Sequence, residues 1–310
     1  MSGPNGIYPV LYAFFDERGG LDRAAMRRQV EGLIGAGVHG IAVLGLGTEV
    51  NKLDLGERRT VLDWAAEDVA GRSPLAVTAA EPSVEGQVAF VKAAAEAGAS
   101  WAILQPPPVR NLPEDEYVRF FAAVAERAPL PLAIQNAPEY IGIGLSNAAL
   151  KALHSAQPGI GIVKAETSAL GVAHLIEETE GALRVFNGRG GLELTDNLRN
   201  GCAGVIPGAE CADVQARIYD LIRDGGAPQA AEADQLYRSL LPLLVFLMQS
   251  LDTFLCYGKR LAAKRLGITN VYDRAPGLQA TPLGLANLDR HAAALGPLEA
   301  DQITVSPSFG

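Results

Sequence analysis

Cysteine is scarce in this chain: 310 residues hold three, Cys202, Cys211 and Cys256, and none forms a CxxC pair. That pattern excludes a disulfide scaffold and points to a reduced, cytoplasmic setting. Histidine is nearly as sparse, with His39, His154, His174 and His291 at no metal-ligand spacing, so no metal centre is expected. No run of basic residues occurs, and the net charge of -9 is spread along the chain. A nucleic acid partner and an anionic membrane surface are thereby excluded. The first ten residues carry no basic region, and no apolar stretch approaches the length that spans a bilayer. What the chain does have is a hydrophobic content of 48%, enough for one large core. Its length exceeds an ordinary domain but suits a single α/β barrel with an appendage.

Short apolar runs alternate with amphipathic stretches. The runs cover 6–12, 40–44, 75–78, 101–104, 130–135, 159–164, 183–186 and 204–206, and helical patterns cover 22–35, 55–69, 84–97 and 114–127. Asp22 reads as a helix cap, with Gly35 and Gly37 closing that first helix. Eight runs joined by helical crossovers predict a parallel sheet closed into a (β/α)8 TIM barrel over 1–212. An open doubly wound sheet would show a glycine-rich turn after its first strand, where this chain has Ala13-Phe14-Phe15-Asp16-Glu17. Beyond about 212 the alternation stops. Helices are expected over 214–222, 230–250 and 252–266, within a C-terminal helical extension that runs to 300, and 301–310 reads as a loose tail.

Chemistry in such a barrel sits at the C-terminal ends of the strands. Strand 6 ends in Ile162-Val163-Lys164 and continues into Ala165-Glu166-Thr167. A lysine amine at the mouth of an apolar strand loses hydration, which favours its neutral, nucleophilic form; the same residue could instead snorkel to solvent. If Lys164 points inward, Ile162 does too, and Glu166 follows where the strand geometry persists. Glu166 could then move protons, or simply complement a helix N-terminus. The turn Gly45-Leu46-Gly47-Thr48-Glu49 after strand 2 offers backbone N–H groups and a hydroxyl that suit a carboxylate, or is an ordinary loop. Strand 5 delivers Gln135 and, further on, Tyr140. Strand 7 delivers Asn187-Gly188-Arg189-Gly190-Gly191, where glycines could cradle a phosphate with Arg189 as clamp, or Arg189 could bind a sugar-acid hydroxyl or lie outward.

The order and spacing of these segments resemble the dihydrodipicolinate synthase / N-acetylneuraminate lyase family of class I aldolases and lyases. The resemblance rests on Tyr8-Pro9-Val10, the 45–49 loop, Asn136-Ala137-Pro138, Val163-Lys164 and the 201–206 segment that ends in Ile206. It implies a Schiff base on Lys164, a C-terminal helical domain, assembly as a tetramer, and substrate contacts from Gly47, Thr48, Glu49, Gln135, Tyr140, Asn187, Arg189 and Ile206. The chain departs from the family at telling places. Leu46 and Gly47 stand where two threonines are usual, Gln135 replaces the proton-relaying tyrosine of strand 5, Pro107 and Pro108 replace a tyrosine after strand 4, and Tyr140 replaces an arginine. Dihydrodipicolinate synthesis therefore lacks its relay and its second carboxylate clamp.

Gln135-Asn136-Ala137-Pro138, Lys164-Ala165-Glu166-Thr167 and Leu261-Ala262-Ala263-Lys264 are similar to the 2-keto-3-deoxy-L-arabonate dehydratase branch. The expected function is thus a Schiff-base lyase that dehydrates a 2-oxo-3-deoxy sugar acid without a cofactor. Lys164 would be the nucleophile and Glu166 the base, with Thr48 and its neighbours on the C1 carboxylate. Gln135 and Asn187 would orient hydroxyls, since amides do not titrate. Retro-aldol release of pyruvate is the alternative, with Tyr140 as base. A phosphate-binding isomerase and a catalytically silent sugar-acid binding protein are the alternatives of other classes.

Overall fold

In a computed structural model, which describes residues 3–298, each apolar run supplies one parallel strand. These are β1 (Gly6–Ile7), β2 (Ile41–Val43), β3 (Leu75–Ala79), β4 (Trp101–Leu104), β5 (Leu132–Asn136), β6 (Ile160–Ala165), β7 (Arg184–Asn187) and β8 (Gly204–Val205). Neighbours pair in the order β1-β8-β7-β6-β5-β4-β3-β2. The two ends of that order meet at Val10, which bridges both Ala42 and Gly208. The Leu11 N–H donates to the Ala42 carbonyl at 2.9 Å, and the Ala42 N–H donates to the Pro9 carbonyl at 2.9 Å. The result is a nearly closed barrel with helices in the crossovers. The first strand is shorter than its apolar run because Pro9 has no N–H to give to the ladder.

Side-chain alternation sets what fills the cylinder. Ile162 on β6 packs inside it with Tyr8, Trp101, Ile103, Phe186 and Ile206. The Tyr8 ring meets Trp101 and Phe186 edge-on, with centroids 5.6 and 5.5 Å apart. Lys164 lies two residues beyond Ile162 on the same face, above this aromatic floor. The outer helices begin where polar caps allow. Asp22 accepts from the Ala24 and Ala25 N–H groups to start Arg23–Gly35, and Asp54 with Glu57 forms a capping box that starts Leu55–Val69.

Past β8 the helix Ala212–Asp224 lays Ile218 and Leu221 against Ile7 and Val205. It covers β1 and β8 as the helix after each other strand covers its own neighbours. The extension then runs through Ala227–Leu247, Leu251–Thr253, a π-helical turn at Phe254–Gly258, and Lys259–Arg265. A further helix, Pro282–His291, was not expected: its apolar residues are few, and it starts on a Thr281 cap followed by Pro282. Two of these helices, Ala227–Leu247 and Leu251–Arg265, are bent by 107° to each other, and among the described residues no single helix is long and apolar enough to cross a membrane. The bend turns Met248, Leu251 and Phe254 toward the C-terminal mouth of the barrel. Residues 301–310, read as a loose tail, lie outside the described part.

Candidate active site

Three polar side chains meet at the C-terminal end of β5 and β6. Lys164 Nζ lies 2.8 Å from Glu166 Oε1, and Gln135 Nε2 donates to the same oxygen at 2.7 Å. All three are buried, Lys164 retaining 7% of its exposure. The alignment follows from the strands: Gln135 sits directly beside Lys164 across the β5–β6 ladder, and Glu166 continues the inward face of β6. Gln135 Oε1 is buried with no partner. Gln135 does not line the chamber, so this oxygen lies behind Lys164 and Glu166. Glycine at 188 is what makes room here, because a Cβ would sit 2.7 Å from Glu166 Cγ and 2.9 Å from Lys164 Cε.

Lys164 and Glu166 open into a narrow chamber of ≈ 40 Å³. Gly47, Tyr140 and Ile206 line it as well, and so do Leu46, Met248, Leu251 and Phe254. A larger depression of ≈ 1210 Å³ lies at the opposite end of the barrel, among Asn5, His39, Gly159, Arg184 and Tyr219. It collects the N-terminal ends of the strands and none of the groups just described. We therefore place the site in the smaller chamber, where strand ends deliver side chains.

The turn after β2 corrects two expectations. Thr48 does not offer its hydroxyl to the chamber: Oγ1 donates to the Leu11 carbonyl at 2.6 Å and accepts from the Leu44 N–H at 2.9 Å. It thereby holds a turn bracketed by two non-glycine residues with positive φ, Leu44 at 63° and Glu49 at 56°. The carboxylate of Glu49 points away from the chamber, pairing with Lys259 from the C-terminal helices and with Lys52 at 2.6 Å. Lys259 also lies 3.7 Å from Asp273 and 5.2 Å from the centre of the Phe15 ring. Leu46 and Gly47 of this turn line the chamber, and among the described residues their N–H groups donate to no backbone carbonyl.

The strand 7 loop is corrected too. Asn187 is fully buried, its Nδ2 donating to the Thr167 carbonyl and its Oδ1 accepting from the Arg189 N–H, both at 2.9 Å. Arg189 reaches Glu193 Oε2 at 3.2 Å and does not line the chamber. Nor is the glycine run a phosphate cradle. A Cβ at Gly190 would come within 2.5 Å of Met248 Sδ and one at Gly191 within 2.2 Å of Gln215 Nε2, so the glycines admit neighbouring side chains. Gln215 Nε2 then donates to the Gly190 carbonyl at 2.9 Å.

One pair was missed from the sequence. Tyr12 donates its hydroxyl to Glu210 Oε2 at 2.7 Å behind Gly208, and both side chains are buried. Burial pushes the Glu210 carboxyl up from its usual range, with Tyr12 and Arg265 pulling the other way. The signal was faint: Tyr12 falls past the end of β1, and Glu210 lies in a loop 198 residues away.

A lysine and a carboxylate are thus in contact, both buried, inside the mouth of a barrel. A model of the Dihydrodipicolinate synthetase family matches residues 3–290, and the chain belongs to that family. Its relatives differ in activity. A 4-hydroxy-tetrahydrodipicolinate synthase from Xanthomonas axonopodis pv. citri is 31% identical, over 74% of this chain and 76% of its own. An L-2-keto-3-deoxyarabonate dehydratase from Azospirillum brasilense is 28% identical, over 77% of this chain and 78% of its own. Among solved structures, a prophage protein of the dihydrodipicolinic acid synthase family from Escherichia coli K12, in complex with pyruvate, superposes with a TM-score of 0.85 at 24% identity. That superposition covers 93% of this chain and 97% of that one. Members of the family are lyases acting on small molecules, and this chain is one of them.

Proposed function

We infer that the chain is a Schiff-base-forming lyase of 4-hydroxy-2-oxo acids, with elimination of water as its first reading. The observation that supports this best is the 2.8 Å contact between Lys164 Nζ and Glu166 Oε1 inside the chamber. Glu166 takes a proton from Lys164, the freed amine adds to the C2 ketone, and Glu166 returns that proton to the carbinolamine hydroxyl, which leaves as water to give a protonated imine. The imine withdraws electrons and acidifies C3–H. Glu166 removes that proton, the C2–C3 enamine forms, and its electrons expel the C4 hydroxyl, which departs as water with the proton from Glu166. A second water then hydrolyses the unsaturated imine and restores Lys164. Gln135 holds Glu166 through Nε2. The unbonded Leu46 and Gly47 N–H groups take the C1 carboxylate in place of the family's threonines. The pentonate type of 2-oxo-3-deoxy sugar acid is the substrate suggested by the Azospirillum dehydratase.

A second reading is favoured by Tyr140, whose side chain lines the same chamber. As base on the C4 hydroxyl it would drive C3–C4 cleavage of the same imine and release pyruvate and an aldehyde. Turnover of 4-hydroxy-2-oxopentanoate separates the two readings, since elimination gives 2-oxopent-3-enoate and cleavage gives pyruvate with acetaldehyde. For elimination, Glu166→Gln should lower kcat by roughly 10²- to 10⁴-fold and Tyr140→Phe by less than about tenfold. Pyruvate as sole product, with Tyr140→Phe the damaging change, would reverse that order.

A further inference from the structure

The chamber is polar on one side only. Tyr140, Lys164 and Glu166 face it from the ends of β5 and β6, with Gln135 behind them. The rest of its lining side chains are apolar: Leu46 from the turn after β2, Met248, Leu251 and Phe254 from the C-terminal extension, and Val10 and Ile206 from the ends of β1 and β8. Among the described lining residues Lys164 is the sole cation. The polar groups of the neighbouring loops are committed elsewhere: Thr48 to backbone, Glu49 to Lys259 and Lys52, Asn187 to backbone and Arg189 to Glu193.

We propose that the substrate is a 2-oxo monocarboxylic acid with one hydroxyl, at C4, and a hydrocarbon tail beyond it. This rests on the Schiff-base reading and replaces the sugar tail suggested by the dehydratase relative. The imine at Lys164 directs C4 toward Glu166, which can serve one hydroxyl. Carbons past C4 run against the Leu46, Met248, Leu251 and Phe254 wall. Hydroxyls on those carbons would leave water and meet no partner, and an apolar pocket of this kind disfavours such an addition by on the order of a hundredfold. A second carboxylate would be disfavoured further, because among the described residues no other cation lines the chamber. Met248, an unbranched side chain with a polarisable thioether, lets the wall adapt to tails of different shape.

The experiment compares two acids with equal carbon skeletons, 4-hydroxy-2-oxohexanoate and 4,5,6-trihydroxy-2-oxohexanoate. Each is titrated in the presence of borohydride, and the concentration that half-labels Lys164 is read by mass, whatever adduct it carries. Pyruvate is run alongside. The monohydroxy acid should half-label at a concentration at least tenfold lower than the trihydroxy acid, and Met248→Gln should narrow that ratio at least threefold. Equal labelling, a preference for the trihydroxy acid, or a ratio untouched by Met248→Gln would overturn the proposal while leaving the Schiff base standing. Failure of pyruvate itself to label Lys164 would instead remove the reading beneath it.

Discussion

At the end of β6 a lysine and a neighbouring glutamine converge on one oxygen of a glutamate and keep it at the edge of a chamber. At the end of β2 a threonine and a glutamate occupy an equally buried turn, yet both are turned back into the protein. The two loops contain similar chemistry and differ in what surrounds each polar group. Glu166 has a glycine opposite it at 188, which leaves space for a reacting molecule. Glu49 has Lys259 opposite it, delivered by the helix that follows the π-helical turn. Both carboxylates pair with a lysine, but Lys164 and Glu166 border the chamber and can act on something that enters, whereas Glu49 and Lys259 do not border it and hold two parts of the chain together.

That contrast can be broken from the β2 side first. Lys259→Met should cost about 3–5 kcal/mol in denaturant unfolding, because it strands a buried carboxylate that Lys52 compensates in part. Adding Glu49→Gln to it should return most of that loss. If Lys259→Met instead unfolds with the wild type and shifts only substrate saturation, Glu49 belongs with the chemistry and the contrast fails. A smaller change sharpens it. Thr48→Val keeps the shape but leaves the Leu44 N–H and the Leu11 carbonyl without a partner, for a loss of about 1–3 kcal/mol. Pyruvate should label Lys164 in this variant at nearly the wild-type concentration. A rise of tenfold or more in that concentration, with unfolding unchanged, would mean that the hydroxyl serves the substrate after all.

Much of the architecture was legible because it depends on periodicity. Eight apolar runs alternating with helices fixed the barrel, and the spacing Ile162, Lys164, Glu166 placed three side chains on one face of β6. What escaped depends on contacts between distant residues. Nothing local to Thr48 says whether its hydroxyl turns to Leu11 or to a ligand, since the choice depends on a carbonyl 37 residues away. The pairing of Glu49 with Lys259 spans 210 residues, and that of Tyr12 with Glu210 spans 198. The glycines at 190 and 191 looked like a phosphate loop because side chains that need their space, Met248 and Gln215, arrive from later helices. The π-helical turn at Phe254–Gly258 was hidden for another reason: its residues fit an ordinary helical pattern.

The central claim, that Lys164 forms the covalent bond to substrate, is tested most directly by borohydride reduction in the presence of pyruvate, followed by peptide mass mapping. One equivalent of pyruvate should be fixed on the peptide that carries Lys164, and Lys164→Ala should take up none while unfolding like the wild type. Label on another lysine, or equal label in Lys164→Ala, would contradict the account.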